Sequence, residues 1–253
     1  YIPGKKTYSA IDGKYVVTDE AVEYNYDSRF MTFLPRMYST NGSHIQAYKE
    51  WGGVVGTEIL VDEGGETNSV NKPTFGENLQ FFFTYQLGHM YWRYFMWNFV
   101  GRQNDMQGHG GITNGNWLSG IKPIDSVFLG NQNKLTKTAE EYPSRNTYYF
   151  IPFILGILGL LFMILYRPKD FTIVMLLFFF TGIAIVLYLN QTPYQPRERD
   201  YAYAGSFYSF AIWIGFSVMG LFTLLSSLKN KTVRLVIVFG LTLTAPVLMA
   251  IEN

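Results

Sequence analysis

FTIVMLLFFFTGIAIVLYLN, residues 171–190, is a run of twenty residues without a charged side chain. A helix needs about 20 apolar residues to cross the hydrocarbon core of a bilayer, and this run supplies them. It is not alone. YYFIPFILGILGLLFMILY lies between Arg145 and Arg167, another uncharged run lies between Asp200 and Lys229, and LVIVFGLTLTAPVLMAI fills 235–251. Four such runs in succession are far more than the buried core of a soluble domain calls for. The sequence therefore predicts four transmembrane helices, over 148–166, 171–190, 203–228 and 235–251. The last, at 17 residues, is short.

Charge divides the chain at the same place. Residues 1–148 hold 13 Lys/Arg and 15 Asp/Glu, whereas residues 149–253 hold 7 and 4. The turn YRPKD offers Arg167 and Lys169, and the turn LKNKTVR offers Lys229, Lys231 and Arg234. The loop between them has Arg197 and Arg199, each beside an acid, Glu198 and Asp200. The excess of positive charge marks the first two turns as cytoplasmic. Residues 1–147, the loop at 190–205 and the C-terminus then face outward. The fold class expected is a polytopic α-helical membrane protein with a mixed α/β extracytoplasmic head ahead of four spans. A head of this size has to be translocated, and the sequence opens at Tyr1 without Met or signal peptide, so the chain is expected to be a segment of a longer polytopic protein, with a processed mature protein as the alternative.

The near balance of 20 basic and 19 acidic residues excludes a nucleic-acid-binding surface. The absence of cysteine excludes disulfides and thiolate metal sites, and fits an oxidising compartment. Three scattered histidines offer no metal-ligand spacing. No nucleophile elbow or phosphate-cradling glycine loop is present, and no cofactor is identifiable.

Within the head, KYVVTD and GGVVGTEILVDEGG read as strands between Gly and Asp turns. Pro35 argues against one continuous helix through YNYDSRFMTFLPRMYST. Residues 77–100, ENLQFFFTYQLGHMYWRYFMWNFV, read as a helix. Phe83, Leu87, Met90, Tyr94 and Trp97 recur at spacings of four and three, and Gln86, His89 and Arg93 form a polar strip. Ten of the 19 residues from Phe81 to Phe99 are aromatic. Arg93 and His89 near its middle are costly in hydrocarbon, so the expectation is an aromatic helix lying at the outer membrane surface. The core helix of the head is the alternative. The stretch after it, GRQNDMQGHGGITNGNWLSG, reads as a surface loop of the kind that serves as a lid or ligand contact.

Between the second and third spans, NQTPYQPRERDYAYAGS is stiffened by Pro193 and Pro196. It delivers Arg197 and Arg199 to the membrane surface among Tyr194, Tyr201 and Tyr203. The planar fork of Arg suits phosphate oxygens, and tyrosine faces stack on sugar rings. Those residues match the headgroup of a phosphate-linked lipid. The competing account is an internally paired charge cluster that caps a helical hairpin.

PRMYS, HMYWRYFMWNFVGRQND, GNWLSGI, NQTPYQPRERDYAYAGSFYSFAIW and PVLMAIEN resemble stretches of a family of large Bacteroidetes-type inner-membrane proteins catalogued as a domain of unknown function. That family is similar to the animal transmembrane protein O-mannosyltransferases and, through them, to polytopic GT-C-like glycosyltransferases that use lipid-phosphate sugars. The resemblance implies an inner-membrane protein with a periplasmic head. Its activity would be inverting transfer of a sugar from a polyprenyl-phosphate-linked donor to Ser or Thr of an acceptor protein, assisted by a carboxylate. That carboxylate belongs to a first outward loop upstream of these residues; neither Asp19–Glu20 nor Asp62–Glu63 matches its motif. Arg197 and Arg199 are the expected lipid-phosphate ligands, with Tyr194, Tyr201, Arg93 and Trp97 as further sugar or lipid contacts. A non-catalytic membrane scaffold or export-machinery subunit is the alternative. A transporter would need charges inside the spans, and there are none.

Overall fold

A computed structural model describes residues 2–23, 26–34, 36–63 and 66–252. Strands β1 (Ile2–Ile11) and β2 (Lys14–Glu23) form an antiparallel hairpin closed by Asp12 and Gly13. Both turn residues have positive φ, 49° and 76°, which gives the turn the right twist for a two-residue hairpin. Helix α1 (Gly42–Gly52) is capped by the Asn41 side chain and stops at Gly53, which takes the left-handed conformation. A second antiparallel hairpin joins β3 (Thr57–Glu63) to β4 (Glu66–Lys72). The head is thus mixed α/β, but among the described residues its strands form three separate two-stranded pairs rather than one sheet. Pro35, expected to interrupt a helix, lies outside the described residues.

The aromatic helix begins as α2 (Phe75–Phe81). Thr74 and Glu77 form a reciprocal capping box. Glu77 also accepts the backbone N–H groups of Val55 (2.7 Å) and Gly56 (2.9 Å). Burial alone would raise its pKa, but these N–H donors and that of Thr74 hold it down at about 2. From Phe82 to Trp92 the helix winds with i→i+5 hydrogen bonds, then returns to α-helix as α3 (Arg93–Phe99). The expectation of a helix with one face open to the membrane surface needs correction. Phe81, Tyr85, Met90, Tyr94, Phe95, Trp97 and Phe99 are all buried, packed with residues of the apolar helices in one cluster. The polar strip is enclosed as well, with Gln86 1% and Arg93 4% exposed. Phe83, expected on the apolar stripe, is 56% exposed. A wider turn needs more residues per revolution, so a stripe drawn at α-helical spacing drifts off its face.

The segment from 101 to 149 carries β5 (Gly101–Arg102), α4 (Lys122–Leu129), α5 (Lys137–Glu140) and β6 (Asn146–Thr147), with β5 and β6 paired. The apolar helices follow. They are α6 (Ile151–Tyr166), α7 (Pro168–Thr181), α8 (Ile183–Leu189), α9 (Ala204–Leu224) and α10 (Lys231–Glu252). Among the described residues three stretches are long and apolar enough to cross a membrane: Pro168–Leu189, Asp200–Ser227 and Lys231–Glu252, of 22, 28 and 22 residues. The expected span at 148–166 is corrected to a helix of 16 residues, α6. At 1.5 Å per residue it rises about 24 Å, less than the roughly 30 Å hydrocarbon core. The expected span at 235–251 is longer than its apolar run, because Lys231–Arg234 form its first helical turn. The span expected at 171–190 breaks at Gly182, between α7 and α8. A Cβ there would lie 2.7 Å from the Tyr91 hydroxyl and 2.9 Å from Ser206 Cβ.

Helix α6 packs along α9 through glycine. A Cβ on Gly159 would come within 1.7 Å of the Trp213 carbonyl oxygen, and one on Gly156 within 2.3 Å of the Phe210 ring. The facing Ser209 and Ser217 are fully buried and donate to carbonyls of their own helix, Gly205 (2.9 Å) and Ile214 (2.6 Å). Small, self-satisfied residues let two backbones approach where burial of apolar surface gives little force, as between helices in lipid.

Candidate functional site

Arg93 and Glu198 meet across 105 residues of sequence. Arg93 Nη2 donates to Glu198 Oε2 at 2.8 Å, with side chains 5% and 17% exposed. The Tyr94 hydroxyl and the Gly108 N–H (3.1 Å) also donate to this carboxylate. Burial pushes the pKa of Glu198 up, but the Arg93 hydrogen bonds and charge, with Tyr94 and Gly108, outweigh it and leave it below the usual carboxylate range. Arg93 is itself fixed on all sides. Its Nε donates to the His89 carbonyl (2.9 Å), its Nη1 to the Gly115 carbonyl (2.5 Å), and its guanidinium lies 4.3 Å from the Tyr94 ring centroid and 5.0 Å from that of Trp97.

The loop at 190–200 is fastened to the aromatic helix along its length. Gln86 Nε2 donates to Asn190 Oδ1 (2.9 Å) and to the Gln191 carbonyl (3.1 Å), and the Tyr85 hydroxyl to the Thr192 carbonyl (3.1 Å). Gln107 donates to the Gln195 carbonyl, and the Arg199 N–H to the Tyr94 hydroxyl (3.1 Å). Arg36 reaches in from the head, donating to Gln86 Oε1 (3.1 Å) and to the Leu187 carbonyl (3.3 Å) at the end of α8. Asn190 and Tyr194 hold left-handed backbone, φ 41° and 55°. Such positions cost energy and persist where the surroundings over-determine them.

The glycine-rich loop is laced to the same body. Asn104 Oδ1 accepts the Gly115 N–H (2.8 Å), and Gln103 Oε1 accepts from the Asn116 side chain (3.0 Å). Gly115 sits at φ 66°, and a Cβ on it would strike the Gly108 N at 2.8 Å. Only glycine fits the loop around Arg93 at that point.

Between head, helix and loops lies a narrow cleft lined by Trp51, His89, Arg93, His109, Tyr194 and Arg197, among others. Its enclosed space is about 20 Å³, room for one water. His89 stacks on Tyr85 with centroids 5.7 Å apart and meets the Trp51 ring at a tilt at 5.2 Å. Burial, with help from the Arg93 charge, lowers its pKa to about 4, so the ring is neutral near pH 7. Its Nε2 lies 3.1 Å from the Gly108 carbonyl, which places the proton on Nε2. His109 meets the edge of Tyr194 at 5.2 Å.

Of the six residues singled out from the sequence, the cleft brings together Arg93, Tyr194 and Arg197. Tyr201 packs against Arg197 from the side, its hydroxyl 3.3 Å from Nη2. Trp97 lies behind Arg93, and Arg199 stands outside the lining, half-buried, its Nε without a partner among the described residues. The sequence presents Glu198 only as an acidic neighbour of the arginines, His89 only as part of a polar helix strip and His109 only as a loop histidine, and gives no signal for Trp51. The carboxylate was visible between two Arg residues; the partner 105 positions away was not. Among the described residues no group of three or more His, Cys, Asp or Glu side chains is placed to hold a metal ion.

Residues 1–83 match the model of a family described as a family of unknown function (DUF8416). The match takes in both hairpins, α1 and α2, and so contributes Trp51 to the cleft. Arg93, Glu198 and the apolar helices lie beyond it. No curated protein and no solved structure matches the chain.

Proposed function

We propose that the chain is part of a membrane glycosyltransferase that transfers a sugar from a polyprenyl-phosphate donor to Ser or Thr of an acceptor protein, on the outer face of a bacterial inner membrane. The head is periplasmic, and the donor phosphate binds Arg197 and Arg199. The resemblance of 89–105 and 190–213 to the Bacteroidetes-type, O-mannosyltransferase-like family supports this reading. One observation carries it. Glu198, the acid that would neutralise its neighbouring arginines, is committed to Arg93. Among the described residues neither Arg197 nor Arg199 has an ion-pair partner. Arg197 is exposed and held over the Tyr201 ring at 5.5 Å; Nη2 donates to the Tyr201 hydroxyl, and its other donors are left for an anion without competition from an acid. The cleft beside it is too tight for a sugar as it stands, so donor binding requires the 190–200 loop to move.

The test is glycan transfer by the full-length protein, with protein abundance measured beside it. Arg197→Lys and Arg199→Lys keep the charge and lose the planar fork. Transfer should fall about tenfold or more with abundance unchanged, the effect of losing one charge-assisted contact of about 1.5–3 kcal/mol. Normal transfer at normal abundance would remove the phosphate role. Loss of abundance in both variants would favour the alternative, a scaffold or export-machinery subunit whose loop is a structural cap.

A further inference from the structure

A second cavity system borders Trp97. Between α9 and α10 runs an apolar groove of about 360 Å³, lined by residues that include Phe99, Gly215, Phe239, Pro246 and Met249. From Phe239 to Met249 it follows ten residues of helix, about 15 Å, or one leaflet of a bilayer. Its floor is open, with Phe239 51% and Leu243 54% exposed. At the Met249 end it meets a polar pocket of about 110 Å³ lined by Trp97, Asn98, Arg102, Asn146, Tyr148 and Asp200. This pocket sits where α9 begins and α10 ends, so the long apolar stretches of both helices lie on one side of it.

The pocket holds opposite charges that do not meet. No ion pair joins Arg102 or Asp200 to any described residue. Arg102 gives its Nε to the Ser144 carbonyl (3.1 Å) and lies over the Trp97 ring at 5.5 Å. Trp97 is 6% exposed, and its indole N–H has no acceptor among the described residues. A buried donor without an acceptor is costly, and the side chain that carries it lines the pocket that also holds Arg102.

We propose that groove and pocket together bind one phospholipid with a zwitterionic phosphoethanolamine headgroup. An acyl chain lies along α9 and α10, the phosphate accepts from Arg102 and the Trp97 indole, and the primary ammonium pairs with Asp200. The charge arrangement selects the headgroup. A purely anionic lipid leaves Asp200 beside negative charge, and a quaternary ammonium cannot donate a hydrogen bond to it. The site is distinct from Arg197 and Arg199, and it does not depend on the transfer reaction.

The test is native mass spectrometry of the chain released from discs holding equal parts phosphatidylethanolamine, phosphatidylglycerol and phosphatidylcholine. One phosphatidylethanolamine should be retained about tenfold over either competitor, the ratio that one charge-assisted hydrogen bond gives. Asp200→Asn should abolish that preference, and Arg102→Gln should lower retention of all three lipids. A Cβ at Gly215 would meet nothing within 4 Å, so Gly215→Phe plugs the groove without a backbone clash and should abolish retention. Gly240 on α10 is equally open and does not line the groove, so Gly240→Phe should retain lipid and controls for added bulk. Soluble phosphoethanolamine should not compete. Equal retention of the three lipids, retention by a folded Gly215→Phe variant, or no lipid on the unaltered chain would each overturn the proposal.

Discussion

Glu198 accepts from Arg93, Tyr94 and Gly108 in a setting where neither charge is well solvated. Removing one partner leaves the other buried and unpaired, which in comparable pairs costs about 3–5 kcal/mol. Glu198 keeps some contact with solvent, so Glu198→Ala is expected near the lower end, about 3 kcal/mol by chemical unfolding in detergent. Arg93→Met combined with Glu198→Leu should recover much of it, since the apolar pair leaves no charge behind. Additive losses in the double variant would contradict the pairing. His89 adds a dependence on pH. Its folded pKa of about 4 lies below the ordinary value of 6.5, so the unfolded chain binds the extra proton between those values. Stability therefore falls on acidification from about pH 6.5 to 4. Glu198, depressed in the folded state, also loses its contribution as pH falls. The unfolding midpoint should drop across this window, and His89→Gln should flatten the drop. An unchanged pH profile in that variant would show that His89 is not held neutral by its surroundings.

Among the elements, the close approach of α6 and α9 carries a specific expectation. Gly159→Ala places a methyl against the Trp213 backbone, which no side-chain rotation relieves. It should cost about 1–3 kcal/mol by thermal unfolding, the usual range for overpacking. Gly240→Ala, with open space around it, should cost nothing measurable. Equal effects would mean that the α6–α9 contact is not tight. How far these elements were legible in the sequence follows from the range of the forces that make them. Apolar runs and their flanking charges are local, so the helices at 168–189, 200–227 and 231–252 could be read directly. The turn at Asp12–Gly13 is equally local. The i→i+5 winding of 82–92 was not legible, because its aromatic residues satisfy an α-helical template and only tertiary packing selects the wider turn. The burial of Gln86 and Arg93 was hidden for the same reason: their partners, Asn190 and Glu198, are more than a hundred residues away. Residue types placed Arg197 and Tyr194 in a loop that could bind a lipid phosphate or serve as an internally paired cap, and they did not show that Glu198 pairs with Arg93 instead of its neighbours.

In the molecule as a whole, the head, the aromatic helix and the 190–200 loop are expected to form one body on one side of the membrane, opposite the turns at 167–170 and 228–231. The loop's hydrogen bonds to Tyr85, Gln86, Tyr94 and Gln107 require the first part, and the Lys/Arg excess in the two turns argues for the second. Single cysteines can be placed on a chain that has none of its own. Val127, Pro196, Lys169 and Asn230 are all exposed. The decisive measurement is labelling of these four variants by an impermeant thiol reagent in intact cells. Val127→Cys and Pro196→Cys should react, and Lys169→Cys and Asn230→Cys should react only after the membrane is opened. Reaction at Lys169→Cys but not at Pro196→Cys in intact cells would contradict that arrangement.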